Sequence, residues 1–424
     1  MSALILILIL LAAFLGAPLF TIFGAAALYL FAHADVSPMA IIIEMSRLIS
    51  APALVAIPLF TFAGYMMAES KTPERLVNVN VAIFGWLPGG LAIVALIACS
   101  FFTAFTGASG VTIIALGGLL YPVLKKRGFT EKFSLGLVTT GGSLGLLFPP
   151  SLPLILYGLI AKVEVDKLFI AGMIPGIVLL LLLSGYSIWT GKHTLKQRDK
   201  FSIMRVLTTL KAAAWEVPLP FIILIGIYGG YFTAGEAAAV TAVYVLIVEV
   251  FIYRDLKLFT DIPRIIRESM VLVGGILIIL AVALGFTSYL IEARVPDMIF
   301  NWIQQYITSQ WMFLIALNVF LLIVGCLMDI FSAIIVVVPI IVPIALKFGV
   351  DPIHLGIIFL TNLEIGYMTP PVGLNLFISS YRFNKSILQI YRVAIPYLII
   401  LLIGLLLITY IPQLSLFLLK ILKF

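Results

Sequence analysis

Two prolines in succession stand inside a long apolar run, and the chain does this twice: GLLFPPS at residues 145–151 and GYMTPPV at 366–372. A proline inside a helix lacks its N–H and clashes with the preceding turn, costing roughly 3 kcal/mol or more, so a pair ends the helix. The apolar runs have spanning length and fall at about 3–32, 51–69, 133–160, 168–190, 214–233, 235–253, 270–291, 355–381 and 393–419. Over 424 residues 63% are hydrophobic and 11% charged, against about 25% charged in a soluble domain. The chain reads as an all-α polytopic membrane protein. Broken backbone inside a bilayer is tolerated only where it is buried in protein or lines a wet cavity.

Two further stretches, 88–124 and 310–347, each fit two half-crossings with polar or glycine residues at the centre: FTGASG at 105–110 and GCLMDIFSA at 325–333. Both read as re-entrant helical hairpins with tips at mid-membrane. An internal repeat links them. Pro149 matches Pro370 at an offset of 221 residues, and the same offset relates Pro122 to Pro343, Gly128 to Gly349, Gly145 to Gly366 and Pro175 to Pro396. With a small gap, PERLVN at 73–78 matches PDMIFN at 296–301. The expected organisation is a first repeat over 1–190, with its hairpin at about 88–124 and broken helix at about 131–161. A basic cytoplasmic loop follows at 191–213, then a second repeat over 214–424, with its hairpin at about 310–347 and broken helix at about 352–382.

Between equivalent points of the repeats the chain crosses the bilayer an odd number of times, which inverts the second. Basic residues agree: KKR at 125–127, Lys192, Lys196, Arg198, Lys200, Arg205 and Lys211, then Arg254, Lys257, Arg264 and Arg267, and finally Arg382, Lys385 and Arg392 all fall on one side, which makes that side cytoplasmic. The first hairpin then opens inward and the second outward, with the C-terminus outside. Residues 3–32 fit one tilted span or two short ones broken near Gly16 and Pro18; the two-span reading puts the N-terminus outside. MSALILILILL has no basic region before its apolar run, so it reads as a retained span and not a signal peptide. Cys99 and Cys326 lie in apolar surroundings, which points to neither a disulfide framework nor a metal site. The net charge of +7 sits mostly in short connectors and speaks of membrane orientation, not of nucleic acid.

Inverted repeats, paired hairpins and broken helices are the pattern of secondary transporters, whose sites lie near the midplane. The prolines leave the carbonyls four residues earlier without helical partners, at Gly145 and Leu146 and at Gly366 and Tyr367. Such carbonyls at the C-terminal end of a half-helix suit a hard cation such as sodium. Each hairpin tip supplies complementary oxygens: Thr103, Thr106, Ser109 and the Gly107 backbone in the first, Asp329, Ser332 and the Gly325 backbone in the second. An intramembrane carboxylate such as Asp329 is a functional-site candidate by default. The plainer readings are that proline pairs only kink helices and that small residues only permit close packing. Ser151, after Pro150, and Asn375, four residues after Pro371, read either as groups for substrate oxygens at half-helix N-termini or as capping residues. Glu364, six residues before the second proline pair, carries coupling or a proton, or else pairs locally or faces a wet vestibule. His354, at a span end, reads as structural.

The stretches FFTAFTGASG, LLFPPSLPLILYG, LFIAGMIPG, GCLMDIF and TPPVGLNLF resemble the large membrane (M) subunit of tripartite ATP-independent periplasmic (TRAP) transporters, the DctM family. The resemblance covers essentially the whole chain. It implies an elevator-type secondary transporter of the bacterial inner membrane, related in fold to the ion transporter superfamily. It also implies work with a small four-helix membrane subunit and a periplasmic substrate-binding protein, importing organic acids such as C4-dicarboxylates or sialic acid with sodium as the coupling ion and no resident cofactor. Carried over by residue, the family's sodium sites fall on Thr106, Gly145, Phe148 and Pro150, and on Gly325, Asp329, Thr369 and Val372. The first tip, TGASG, departs from a family pattern that commonly has two or more serines. The rival classes are an intramembrane enzyme, a passive channel and a scaffold subunit. Asp329 has no carboxylate counterpart in the first repeat, where Ala108 stands, so an aspartate dyad is not supported. No soluble stretch is long enough for an ATPase.

Overall fold

The computed structural model describes residues 8–9, 11–12, 15–34, 37, 39–49, 51–87, 89–194 and 201–422, and among them it is helical, with no strand. Among the described residues seven helices are long and apolar enough to cross a membrane, and eight if the bent pair Glu131–Leu147 and Leu152–Ala161, which meets at 43°, counts as one span. The chain is an all-α polytopic membrane protein.

The proline pairs end helices where their chemistry requires. Glu131–Gly141 runs into a 3-10 turn at Leu144–Leu147, breaks across Pro149 and Pro150, which are joined by a cis peptide, and resumes as Leu152–Ala161. The second instance is Pro352–Gly366, a break containing the cis pair Pro370–Pro371, and Leu374–Phe383. The hairpins are Gly90–Thr106 followed by 109–126, and Gln310–Leu327 followed by Ile330–Lys347. Shifted by 221 residues, 109–126 becomes 330–347, the bounds of the corresponding arm. The tips turn differently. Gly107 caps the first arm at φ +64°, donating its N–H to Thr103 O at 2.8 Å, a left-handed backbone that favours glycine. At the second tip Met328 is extended and Asp329 caps the next helix.

Two apolar runs fold otherwise than their length suggests. Residues 214–233 form only the ten-residue helix Leu219–Tyr228, because Pro218 and Pro220 hold its start and Gly229 and Gly230 its end. The run 393–419 divides into Ile387–Tyr410 and Gln413–Leu422, with Pro412 at the break. Within the 191–213 connector lies an amphipathic helix, Ile203–Ala212, while Lys196, Arg198 and Lys200 fall outside the described residues. Near the N-terminus residues 8–9 and 11–12 are helical, Gly16 has φ +86°, and a further helix begins at Leu19 after Pro18; residues 1–7, 10 and 13–14 fall outside the described residues.

The helices pack as two groups. Leu19–His33, Met39–Ile49 and Ala56–Glu69 pack on the long helix Asp261–Glu292, and Ala234–Ile247 packs on Ala56–Glu69, while the hairpins, the broken helices, Val165–Thr194 and Ile387–Tyr410 form the other group. Gly64 lets the first group approach the second, since a Cβ there would stand 2.5 Å from Phe105 O and 2.8 Å from Thr106 Cα. The post-break helices are exchanged between halves: Leu152–Ala161 packs on Ile330–Lys347, and Leu374–Phe383 packs on residues 109–117. The loops that the basic residues place on one side meet one another. Arg264 reaches Glu69 at 2.8 Å, and Arg75 on the short helix Thr72–Phe84 binds Asp255 at 2.6 Å, Glu249 at 3.1 Å and also Glu216.

Candidate functional site

Each break is seated against its own hairpin by glycine. A Cβ on Gly145 would come within 2.2 Å of Ser100 O and 2.6 Å of Ala104 N, and one on Gly366 within 2.5 Å of Gly325 C and 2.6 Å of its Cα. These are backbone-on-backbone contacts that only hydrogen at Cα permits. Behind the first break, Gly172 of the Val165–Thr194 helix meets Leu147 O, where a Cβ would be at 2.2 Å, and Gly176 underlies the Phe148 ring. The LFIAGMIPG stretch is thus the bed on which the break lies.

At the first site Thr103 Oγ1 donates to Gly142 O at 2.8 Å and lies 2.6 Å from Thr112 Oγ1, all buried. Thr106 Oγ1 has only long contacts, 3.5 Å to Ala108 O and N. The Gly107 tip abuts Leu152, the first residue after the break. Pro149 and Pro150 are buried and Phe148 half-buried. Thr106, Gly107, Gly145, Phe148 and Pro150 therefore surround one hairpin tip and its break.

At the second site Asp329 is the N-cap of Ile330–Lys347, its Oδ1 accepting from Phe331 N and Ser332 N at 3.0 Å each, while Ser332 Oγ donates to Oδ2. A carboxylate has about four lone-pair positions, so three hydrogen bonds leave capacity for a cation. Gly325 and Gly366 are in contact, Gly373 N donates to Cys326 O at 3.0 Å, and Ile330 N donates to the Tyr367 hydroxyl at 2.6 Å. Thr369 turns its hydroxyl to Ile365 O at 3.0 Å, and Val372 is exposed. The roles of the Tyr367 hydroxyl and the Cys326 carbonyl had no signal in the sequence, because both depend on how hairpin and break meet.

The four carbonyls that the prolines were expected to leave free each accept a hydrogen bond. Phe148 N donates to Gly145 O at 3.1 Å and Thr369 N to Gly366 O at 2.9 Å, because the chain tightens into i→i+3 turns. Ser151 Oγ donates to Leu146 O, and Asn375 N donates to Tyr367 O at 3.1 Å. A carbonyl has two lone pairs, so each keeps one acceptor position.

Of the substrate candidates the structure joins two. Ser109 Oγ donates to Asn375 Oδ1 at 2.7 Å, both buried, because the exchanged packing brings the second post-break helix onto the first hairpin. Asn375 Nδ2 reaches Thr139 O at 3.5 Å, and Thr139 Oγ1 lies 2.8 Å from Ser379 Oγ. Thr139 and Ser379 extend this cluster between the halves; neither carried a motif in the sequence. Ser151 stays within its own break. Glu364 is fully buried, with neither carboxyl oxygen hydrogen-bonded among the described residues. His354 is buried as a structural group, its ring nitrogens 3.1 Å from Ser415 Oγ and 3.2 Å from Thr409 O. Among the described residues no group of three or more His, Cys, Asp or Glu side chains could hold a metal ion.

The chain matches, over residues 4–414, the family model described as "Tripartite ATP-independent periplasmic transporter, DctM component". It is 39% identical over 395 residues, 93% of this chain and 92% of the other, to the C4-dicarboxylate TRAP transporter large permease protein DctM of Pseudomonas aeruginosa. It is 36% identical over 408 residues to the isethionate TRAP transporter permease protein DctMQ of Oleidesulfovibrio alaskensis, covering 95% of this chain and 64% of that one. It is 31% identical over 370 residues, 86% of each chain, to the ectoine/5-hydroxyectoine TRAP transporter large permease protein UehC of Ruegeria pomeroyi. Among solved structures the YdaH transporter of Alcanivorax borkumensis shares the fold, with a TM-score of 0.60 at 13% identity over 87% of this chain and 86% of that one. The chain belongs to the DctM component of the tripartite ATP-independent periplasmic transporters, integral permeases of the inner membrane that are not enzymes.

Proposed function

We propose that this permease imports an organic acid by sodium-coupled secondary transport, moving the hairpins and broken helices as an elevator against the remaining helices. The observation that carries the reading is the duplicated arrangement of a proline-paired break seated on a polar hairpin tip, with a carboxylate at the second tip. In this reading one sodium ion lies among Thr106, Gly107, Gly145, Phe148 and Pro150, and another among Gly325, Asp329, Gly366, Thr369 and Val372. Coordination uses the second lone pair of the break carbonyls and the capacity left on Asp329. Ser109, Asn375 and Ser151 are the substrate-facing candidates, the first two as one hydrogen-bonded pair.

The repeats 1–190 and 214–424 are inverted with respect to each other in this account, joined by the 191–213 loop on the cytoplasmic side. The cargo is a C4-dicarboxylate, sialic acid or a similar carboxylate handed over by a periplasmic binding protein, and a small four-helix membrane subunit completes the assembly. The C4-dicarboxylate relatives support the cargo class. The DctMQ name and the greater length of the isethionate relative support a small membrane partner.

The test is uptake into proteoliposomes holding this chain with its small subunit, in the presence of a binding protein and its organic acid. An inward sodium gradient drives accumulation without ATP, and omitting the small subunit lowers it. Equal accumulation with a potassium gradient contradicts the proposal.

A further inference from the structure

A cavity of about 700 Å³ lies between the first turns of two helices that pack together, Glu131–Gly141 and Ile387–Tyr410, and Glu131, Lys132, Lys385 and Arg392 are among its lining residues. The helices meet closely because Gly136 has no side chain: a Cβ there would stand 2.5 Å from Val393 O, and the Tyr397 hydroxyl donates to Phe133 O at 2.7 Å. The cavity therefore has three cationic side chains from two helices and the connector before the second, against one carboxylate. That carboxylate is already engaged. Lys385 Nζ stands 2.5 Å from Glu131 and Lys125 Nζ 3.9 Å, and the Tyr121 hydroxyl donates to Glu131 at 3.1 Å. Lys132 and Arg392 make no hydrogen bond or ion pair among the described residues.

The surroundings place these cations at the edge of the hydrocarbon. Leu388, Ile395, Ile399 and Ile403 are exposed on the Ile387–Tyr410 helix, and Arg392 falls in the same row, since each step along it is three or four residues. That row is apolar and outward-facing in a membrane-spanning helix, which makes it a lipid-facing surface. Beside the cavity, the exposed Trp189 stacks on Tyr186 with ring centres 6.1 Å apart, and Tyr186 lies 5.8 Å from Phe133, the neighbour of Lys132. Such aromatic groups sit at headgroup depth. An arginine at that depth keeps its stem in the apolar layer and its guanidinium among headgroups. Phosphate is the group there that offers it a negative charge and paired acceptors.

We propose that this cavity binds the phosphate of an anionic phospholipid from the leaflet on the side of Lys385 and Arg392, the side that the basic residues mark as cytoplasmic. Lys132 and Arg392 hold the phosphate, Lys385 remains with Glu131, and the acyl chains lie along Leu388, Ile395, Ile399 and Ile403. The lipid then ties the start of the first broken helix to the start of the Ile387–Tyr410 helix, two elements that otherwise meet near Gly136. A soluble phosphate compound would satisfy the same cations, but it would leave the apolar row to other lipids. The site needs only the membrane embedding of the chain; neither sodium nor cargo enters it.

The full chain is purified in detergent and titrated with phosphatidylglycerol, with phosphatidylcholine of the same chain length and with glycerol phosphate. Bound lipid is followed by native mass spectrometry and the thermal midpoint is read in parallel. Wild type is expected to retain phosphatidylglycerol in preference to phosphatidylcholine and to gain thermal stability from it, while glycerol phosphate at the same concentrations does neither. Replacing both cations, Lys132→Gln with Arg392→Gln, should weaken phosphatidylglycerol binding roughly tenfold or more, whereas Lys257→Gln, in a connector on the same side, should leave it unchanged. Equal retention of the two lipids by wild type overturns the proposal, as does an unchanged preference in the double variant. Stabilisation by glycerol phosphate equal to that by the lipid reveals a soluble phosphate ligand and overturns the lipid assignment. Should the double variant not fold, the wild-type comparison of lipids stands by itself and Lys132→Gln alone, at an exposed position, supplies the second.

Discussion

At the first break Pro149, Pro150 and Ser151 are buried and the hairpin tip is held by hydroxyls, whereas at the second their counterparts Pro370, Pro371 and Val372 are exposed and the tip presents a carboxylate. The two were built from the same device, a glycine seated on hairpin backbone and a pair of prolines, and then diverged in charge along with exposure. A buried carboxylate without compensation is costly, and Ala108 fills the place of Asp329 at the closed tip. The short helices before the hairpins differ in the same sense with the charges reversed in kind. Thr72–Phe84 carries Arg75 into a nearly buried cluster with Glu216, Glu249 and Asp255, while Val295–Gln304 carries Asp297 to an exposed pair with Lys347. One half is locked from within. The other is held at the surface.

The largest effect expected from this contrast is at Arg75. Arg75→Met leaves Glu216 and Glu249, 2% and 1% exposed, facing each other without their counter-charge, and removing one partner of a buried ion pair costs about 3–5 kcal/mol. The thermal midpoint of the purified protein should fall steeply, and a midpoint near that of wild type would show that the cluster is already neutral. Next comes the seat of the second break. A Cβ on Gly366 meets Gly325 backbone at 2.5 Å, and overpacking of this kind costs roughly 1–3 kcal/mol. Gly366→Ala should abolish uptake at matched membrane expression, as should Gly145→Ala. Uptake surviving in one alone would show that the two seats are not equivalent.

How much of this was written locally in the chain explains what could be read from it. Helix ends were legible where a single residue imposes them, as at the two proline pairs, whereas the caps at Gly107 and Asp329 emerge only from the turn of each hairpin. Apolar length misled at 214–233 and 393–419, because hydropathy counts carbons while Pro218, Pro220 and Pro412 interrupt hydrogen bonds. Residues of both candidate ion sites were visible as motifs. The partners of the break carbonyls were not, since they arise when the chain tightens into i→i+3 turns, and the Ser109–Asn375 contact spans 266 positions through an exchange of helices between halves. The isolation of Glu364 is likewise a property of packing, and its sequence neighbours give no sign of it.

The smallest effect is expected at the surface pair of the second half. Lys347 holds the Asp297 carboxyl below the usual carboxylate range. A depressed value means that the pair contributes its stability at neutral pH and loses it as the pH falls through the carboxyl's own value. Asp297→Asn should therefore narrow the difference in thermal midpoint between neutral solution and solution below about pH 4 only slightly, and salt should weaken even that. A large change would mean that the second helix is held as firmly as the first.

Asp329 tests the contrast between the two breaks most directly, because its structural and ionic duties can be separated. Asparagine caps a helix about as well as aspartate, so Asp329→Asn should preserve the start of Ile330–Lys347 and leave thermal stability nearly unchanged. It removes only the negative charge that offsets a bound cation. Losing a charge-assisted contact costs about 1.5–3 kcal/mol, which corresponds to a roughly ten- to hundredfold rise in the sodium concentration giving half-maximal uptake. The measurement is uptake against sodium concentration for wild type and Asp329→Asn in the assembled transporter at equal membrane levels. That rise is the expected result, with uptake recovering at high sodium. An unchanged half-maximal concentration would contradict it and leave Asp329 as a helix cap alone.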